Sequence, residues 1–247
     1  KGLGGDDTII VRSLDDSFSA DLLIYGDDDS GSANIDAFQA MLKKQSKDEI
    51  VFAGNIITHG GKINAMSDTV SVEAGSYLST SAVANNSGSI SFQSRVIDIK
   101  KGSSLDASVQ IGGNLSAGDI SLSANAGSIV RKPNTPQPVS SINIDTSTLI
   151  GDAIDIIAEA SQSDITEKFS VFSFRKDATA QITLSDSNIV GNVVKVNATA
   201  DTTLLPPTDV AMSGNPNLTF RHNPGAKDTI VRDSGTWSAD GFLDVPG

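Results

Sequence analysis

The chain has 247 residues, with 18 Lys and Arg against 30 Asp and Glu, 2 His and no Cys, so its formal net charge is −12. This acidic balance argues against binding to a phosphate backbone, and the lack of Cys excludes disulfides and Cys-based metal sites. No apolar run reaches the roughly 20 residues that cross a bilayer, which excludes a membrane-spanning helix.

The first 36 residues are rich in Asp and Gly. Residues 2–9 read GLGGDDTI and residues 25–31 read YGDDDSG. Carboxylates in turns that Gly permits, beside backbone carbonyls, form the hard-oxygen ligand sets that suit Ca²⁺. The sequence therefore predicts a calcium site, and the alternative is that these turns bind nothing, as in many acidic proteins. The candidate metal ligands are Asp6, Asp7, Asp27, Asp28 and Asp29.

Residues 37–49 are the longest run of good helix formers, and Asp36 precedes them as an N-cap candidate. Phe38, Met41 and Leu42 follow the i, i+3, i+4 spacing of one helix face. We expect a short amphipathic helix that packs against the flank of its own domain.

An internal repeat dominates the region from residue 50 to residue 200. Residues 142–160 match residues 182–200 position by position, at an offset of 40 residues. Both copies alternate apolar and polar residues, which predicts strands with one buried face. Each copy is interrupted by a turn that contains Ser147 or Ser187, and the pattern resumes after Gly151 or Gly191.

The type of turn favours a parallel fold. Hairpins with two-residue Asn-Gly or Asp-Gly loops are largely missing, whereas corners built from Gly, Asp, Asn and Ser are frequent. We therefore expect an all-β parallel β-helix, or β-solenoid, with roughly 20 to 25 residues per coil and about ten coils. It would form one elongated domain over residues 1–247, with the helix and ejected loops outside the coils. An antiparallel β-sandwich is the alternative fold.

The C-terminal third contains polar, Pro-punctuated stretches at residues 132–138 and 205–224, which we interpret as loops. Residues 201–247 are predicted to contain a long loop and a final coil. Residues 228–231 (DTIV) resemble residues 7–10 (DTII) near the start. This similarity suggests one long module followed by the opening of the next, within a longer chain.

The GGDDTI stretch at residues 4–9 resembles the Gly- and Asp-rich repeats of RTX calcium-binding proteins. Stretches such as DTVSVEAGS (68–76), GDISLSANA (118–126) and GNVVKVNATA (191–200) resemble the parallel β-helix repeats of large filamentous-haemagglutinin-like and RTX-type bacterial adhesins. The resemblance implies export to the cell surface or medium, neighbouring domains in the same chain, and stiffening by Ca²⁺. It covers most of the chain with motifs of low specificity.

We expect a non-catalytic structural or adhesive segment, with an extracellular glycan as a candidate partner. His59 and His222 are isolated in the sequence, and no triad pattern surrounds them. Two alternatives remain: a pectin-lyase-like enzyme or carbohydrate-binding β-helix, and a calcium-binding folding module. A carboxylate cluster on one outer face would favour the enzyme.

Overall fold

The computed structural model describes residues 6–26, 47–83, 85–109, 115–130, 138–165, 178–205, 227–232, 235–239 and 243–244. Twenty strands lie in these ranges, and all are arranged in three sheets whose neighbouring strands are parallel. The all-β prediction and the parallel pairing are confirmed for this part of the chain. An antiparallel sandwich does not fit it. No helix long and apolar enough to cross a membrane is found among the described residues.

Sheet 1 has seven strands, which occur in the sheet in their sequence order: Thr8–Val11 (β1), Glu49–Phe52 (β3), Thr69–Val72 (β6), Val96–Ile99 (β9), Val139–Asp145 (β12), Thr179–Ser185 (β15) and Lys227–Arg232 (β18). Sheet 2 also has seven: Leu22–Tyr25 (β2), Ile63–Met66 (β5), Ile90–Ser94 (β8), Ile120–Val130 (β11), Ala153–Ile165 (β14), Val193–Leu205 (β17) and Leu243–Asp244 (β20).

Sheet 3 has six strands: Asn55–Ile57 (β4), Tyr77–Ser79 (β7), Ser104–Asp106 (β10), Thr148–Ile150 (β13), Ser187–Gly191 (β16) and Gly235–Ala239 (β19). From β3 onward the chain visits sheet 1, sheet 3 and sheet 2 in that order and then starts again. We call one such passage a repeat. Each strand from β3 to β17 therefore pairs with the strand three positions further along the chain.

The core consists of columns of apolar side chains that continue from repeat to repeat, because strands with one buried face stack in constant register. The side chains of each column are nearly or fully buried. The column on sheet 3 is Ile56, Leu78, Leu105, Leu149 and Ile189. One column on sheet 2 is Ile63, Ile90, Ile120, Ile154 and Val194. One column on sheet 1 is Ile50, Val70, Ile97, Ile142 and Ile182.

The Ser residues of the sequence repeat form a buried ladder at the corner between sheet 1 and sheet 3. Ser76, Ser103, Ser147 and Ser187 are at most 3% exposed. Their hydroxyls donate to backbone carbonyls, for example from Ser147 Oγ to Lys100 O at 3.0 Å. The ladder therefore satisfies polar backbone groups where the chain leaves one sheet for the next.

The residue before each of these Ser residues has a positive φ. Gly75 and Gly102 have φ values of 72° and 75°, and Thr146 and Asp186 both have 46°. Gly adopts this left-handed conformation at no steric cost, whereas a β-branched residue such as Thr is strained there. The later repeats therefore keep the corner geometry of the earlier ones with less suitable residues.

Two sequence predictions about the architecture are wrong. The predicted helix over 37–49 does not extend to its end, because Glu49 opens β3 and pairs with Thr8 and Thr69; residues 37–46 lie outside the described residues. The coil length is also wrong. Glu49 pairs with Thr69, an offset of 20 residues, but Val139 pairs with Thr179, an offset of 40. The 40-residue match is a single repeat, and sheet 1 has seven strands instead of about ten.

Candidate functional site

The predicted metal ligands Asp6 and Asp7 lie immediately before β1, and Asp27, Asp28 and Asp29 lie outside the described residues. Asp6 Oδ1 accepts a hydrogen bond from the backbone N–H of Lys47 at 3.2 Å. The backbone N–H of Asp7 donates to Asp48 Oδ1 at 2.7 Å, and Glu49 N donates to Asp7 O at 2.8 Å. The structure therefore joins the predicted site to a residue from the second repeat.

Asp7 and Asp48 belong to a column of charged residues, each directly before a strand of sheet 1. The register that aligns Thr8, Glu49, Thr69 and Val96 places Asp7, Asp48, Asp68 and Arg95 on successive strands. Successive positions in such a column are about 4.8 Å apart. We call Asp7, Asp48 and Asp68 the acidic column, and Arg95 is its basic neighbour.

Arg95 neutralises the last member of the acidic column. Its Nε and Nη2 atoms donate to Asp68 Oδ1 and Oδ2 at 2.8 and 2.9 Å, a two-point contact between guanidinium and carboxylate. The hydrogen bonds to Asp68 raise the pKa of Arg95 above its ordinary value, although partial burial opposes this. Asp68 therefore has a permanent cationic partner.

Asp48 has no such partner on its second oxygen. The residue is 1% exposed, and Asp48 Oδ2 and Ser67 Oγ are both buried without a hydrogen-bond partner among the described residues. Both residues border Gly26, where a Cβ atom would lie 2.3 Å from Ser67 Oγ and 3.1 Å from Asp48 Cβ. Leaving a buried polar oxygen unpaired costs about 1–3 kcal/mol, so this corner favours a ligand that supplies positive charge.

The chemistry of this corner fits a hard cation only in part. Asp48 Oδ2 and Ser67 Oγ are the oxygen type that Ca²⁺ prefers. However, no three His, Asp or Glu side chains form a metal-binding group within the part of the chain that the structure describes. A cation here would depend on Asp48 and on neutral oxygens, which differs from the predicted set of adjacent Asp side chains.

A second charged cluster lies on the outer face of sheet 1, and we call it the sheet 1 cluster. Ser71 Oγ donates to Glu49 Oε1 at 2.9 Å, and Asn143 Nδ2 donates to Asp98 Oδ1 at 2.8 Å. Lys100 Nζ donates to a carboxylate oxygen at 2.6 Å, and its partner is Glu73. The cluster thus contains three carboxylates and one ammonium group.

The sheet 1 cluster does not hold a primed base. The hydrogen bond from Glu73 raises the pKa of Lys100, and the charges of Asp98 and Glu49 act in the same direction, against weak desolvation. A lysine that abstracts protons near neutral pH needs the opposite shift. Lys100 therefore stays protonated and can only bind or orient an anionic group.

His59 has a structural contact instead of a catalytic one. Its Nε2 atom lies 3.0 Å from the backbone carbonyl of Asp16, in a turn where His59 itself has a φ of 48°. His222 lies outside the described residues. The expectation that the two His residues form no triad is thus met for His59 by a backbone partner.

Sequence reasoning missed Asp48 and Asp68, although a signal was present. The segments Asp7-Thr8-Ile9, Asp48-Glu49-Ile50 and Asp68-Thr69-Val70 all place Asp directly before a strand. Asp48 and Glu49 were instead assigned to the end of a helix. Reading the three Asp positions as one column required the offsets between repeats, which vary.

No protein-family model matches the chain, and no curated protein or solved structure is significantly similar to it. The sheets, the acidic column and the sheet 1 cluster are therefore the basis for the functional inference.

Proposed function

We propose that the chain is a parallel β-helix that acts as a non-catalytic structural or adhesive segment of a large secreted bacterial surface protein. The main support is the constant register across all three sheets, which carries the same apolar columns through repeats of very different length. Such stacking buries one continuous core and makes each repeat depend on its neighbours. A scaffold of this kind suits a load-bearing spacer.

The outer faces support the same proposal. Outward positions on sheet 2 carry mainly small polar and charged side chains, among them Asn64, Ser91, Ser121, Asp155 and Lys195. The charged groups of the sheet 1 cluster are paired, and Lys100 is held as a cation. We propose that such faces contact neighbouring domains or an extracellular glycan without cleaving it.

We further propose that Ca²⁺ stabilises the acidic corner. Asp48 Oδ2 and Ser67 Oγ would hold the ion beside Asp7, because these buried oxygens have no other partner among the described residues. The bound ion would offset the charge of the acidic column. It would link the first repeat, which contains Asp7, to the second and third, and thereby stiffen this end of the sheet.

The alternative function is a pectin-lyase-like enzyme acting on polysaccharides. The observation in its favour is the sheet 1 cluster, where Glu49, Glu73 and Asp98 share one outer face with Lys100. The raised pKa of Lys100 argues against a role as the base. A carboxylate would then have to take that role.

A panel of uronate-containing and neutral polysaccharides separates these functions. Gel electrophoresis in the presence of each polysaccharide reports binding, and assays for new reducing ends and unsaturated products report cleavage. We expect no turnover, with binding to a glycan if the segment is adhesive and none if it is purely structural. Turnover that is abolished by Glu49→Gln or Asp98→Asn would contradict the proposal and establish the enzyme.

Thermal melting with millimolar CaCl₂ against EGTA tests the calcium proposal. An ion that binds the folded state in preference to the unfolded state raises the melting temperature. We expect a rise for the parent protein that is lost in Asp48→Asn. Asp98→Asn is the matched control, since Asp98 also accepts a hydrogen bond but has Asn143 as its partner. Equal shifts in all three proteins would remove Asp48 from the site.

A further inference from the structure

The first and last strands of sheet 1 share a sequence and a register position. Residues 7–10 read DTII and residues 228–231 read DTIV. The pairings that run from Thr8 through the strands of the sheet end at Thr229, so the two Thr residues stand in the same column. The two ends of the sheet therefore present the same short sequence at the same height.

These two strands also have complementary edges. In the described part of the chain, β1 pairs only with β3 and β18 pairs only with β15, so each has one edge outside the sheet. Parallel strands that stack in one direction have opposite outer edges, and the edge at one end fits the edge at the other. Sheet 2 repeats this arrangement, because Leu22 on β2 and Leu243 on β20 also share a column.

The first repeat exposes large apolar side chains on both sheets. Ile10 on β1 and Leu23 on β2 are each 51% exposed. Ile10 occupies the same column as Val231, and Thr8 the same column as Thr229. If β1 paired with β18 of another molecule, both columns would gain like-with-like pairs of β-branched residues, which are favourable neighbours on adjacent strands.

We propose that two copies of this chain stack head to tail, with β1 of one copy pairing in parallel with β18 of the other. This inference rests on the proposed β-helix. Stacking would extend the apolar columns without a break, and exposed strand edges favour such pairing. Because the contact joins different surfaces, it does not close on itself and would permit longer stacks.

Charge makes the proposed contact dependent on the solution. The same register sets Asp7 beside Asp228 and Asp6 beside Lys227. The Asp pair is repulsive, and the formal net charge of −12 on each chain adds a general repulsion. Salt screens both effects, so association should strengthen as ionic strength rises.

Sedimentation of the full chain over a concentration series tests the association. We expect concentration-dependent stacks that are favoured by salt. Ile10→Lys places a charge at the proposed contact and should shift association to concentrations at least tenfold higher. Val83→Lys is the matched control, because Val83 is 53% exposed and lies outside the named strands. A parent protein that stays monomeric at all concentrations and salt levels would overturn the proposal, as would equal effects of the two variants.

Single Cys residues test the orientation, since the chain has no Cys of its own. Under oxidising conditions, a Thr8→Cys protein mixed with a Thr229→Cys protein should form a mixed disulfide dimer. Each protein alone should crosslink little, because Thr8 and Thr229 lie at opposite ends of the sheet. Preferential crosslinking of either protein with itself would overturn the head-to-tail arrangement. Failure of the β-helix itself would appear separately, as the loss of the intrachain crosslink described at the end of the Discussion.

Discussion

The repeats between β3 and β10 and those between β11 and β17 solve the same packing problem with different amounts of chain. In the early repeats, strands have three to five residues and neighbouring strands of sheet 1 are 20 or 27 residues apart, as in the pairs Glu49–Thr69 and Thr69–Val96. In the later repeats, the strands of sheet 2 have 11 to 13 residues. The comparison shows that register does not depend on repeat length.

The extra residues of the later repeats are added at one corner. A single residue, Arg95, joins β8 to β9, whereas residues 131–138 separate β11 from β12 and residues 166–178 separate β14 from β15. Before that corner the long strands of sheet 2 continue with small buried residues. These are Ala124, Ala126, Ala158, Ala160, Ala198 and Ala200. Small side chains let two sheets approach closely, so the repeat is extended as a thin flank.

The early repeats have a bulkier interior. Phe52 on sheet 1 stacks on Phe92 on sheet 2, with ring centroids 5.4 Å apart and both side chains fully buried. Such aromatic pairs contribute about 0.5–1.5 kcal/mol beyond the area that they bury. We infer that the early repeats depend on a few large side chains, and the later ones on many small ones in long ladders.

The largest expected effect is that of a charge inside a shared column. Ile156 on β14 is fully buried, so Ile156→Asp should abolish cooperative folding, because an unpaired carboxylate would enter the core. Ile157→Asp is the matched control, since the neighbouring side chain points outward and is only partly buried. Circular dichroism melts of both variants provide the measurement. A parent-like melt for Ile156→Asp would contradict the strand register.

A smaller effect separates the two regions. Phe92→Ala in the early repeats should cost about 3–5 kcal/mol of unfolding free energy, because it removes a stacked, fully buried ring. Ala158→Gly in the later repeats should cost about 0.5–1 kcal/mol, mainly through backbone entropy. Urea unfolding with linear extrapolation measures both. Similar losses would mean that the two regions do not differ in how they are stabilised.

The positive-φ corner should give a change of opposite sign in the two regions. Thr146→Gly should stabilise the protein by about 0.5 kcal/mol, because Gly removes the strain of Thr at a φ of 46°. The gain is reduced by the loss of the hydrogen bond from Thr146 Oγ1 to Asp145 Oδ1. The converse variant Gly102→Thr should destabilise. Urea midpoints compare the pair, and a destabilised Thr146→Gly protein would argue against strain at this corner.

The smallest effect is a local titration in the early repeats. Burial raises the pKa of Tyr77, and the hydrogen bond from its hydroxyl to Asp106 Oδ2 at 2.7 Å acts in the same direction, partly opposed by Ser79. In a Tyr25→Phe variant Tyr77 is the sole Tyr, so ultraviolet absorbance follows its ionisation. We expect ionisation above the ordinary pKa of about 10. Asp106→Asn should lower this pKa, and no change would remove Asp106 as a contributor.

Much of the fold could be predicted from the sequence, because alternation and the 40-residue match report directly on buried faces and register. Ile142, Ile156, Leu149 and their partners in the next repeat are buried as expected. Repeat length could not be predicted, since insertions at one corner leave the columns unchanged. The acidic column was hidden for the same reason: Asp7 and Asp48 are 41 positions apart, whereas Asp48 and Asp68 are only 20 apart.

The most direct test of the account is the register between two repeats, probed by paired Cys residues in a chain that has none. Ser141 on β12 faces Gln181 on β15 in register, and Thr183 is two residues further along the same strand. Adjacent parallel strands place partner Cα atoms about 4.8 Å apart, within the range of a disulfide, and a two-residue offset exceeds about 7 Å. The account predicts rapid oxidation of Ser141→Cys/Gln181→Cys and slow oxidation of Ser141→Cys/Thr183→Cys. Equal rates, or the reverse order, would contradict it.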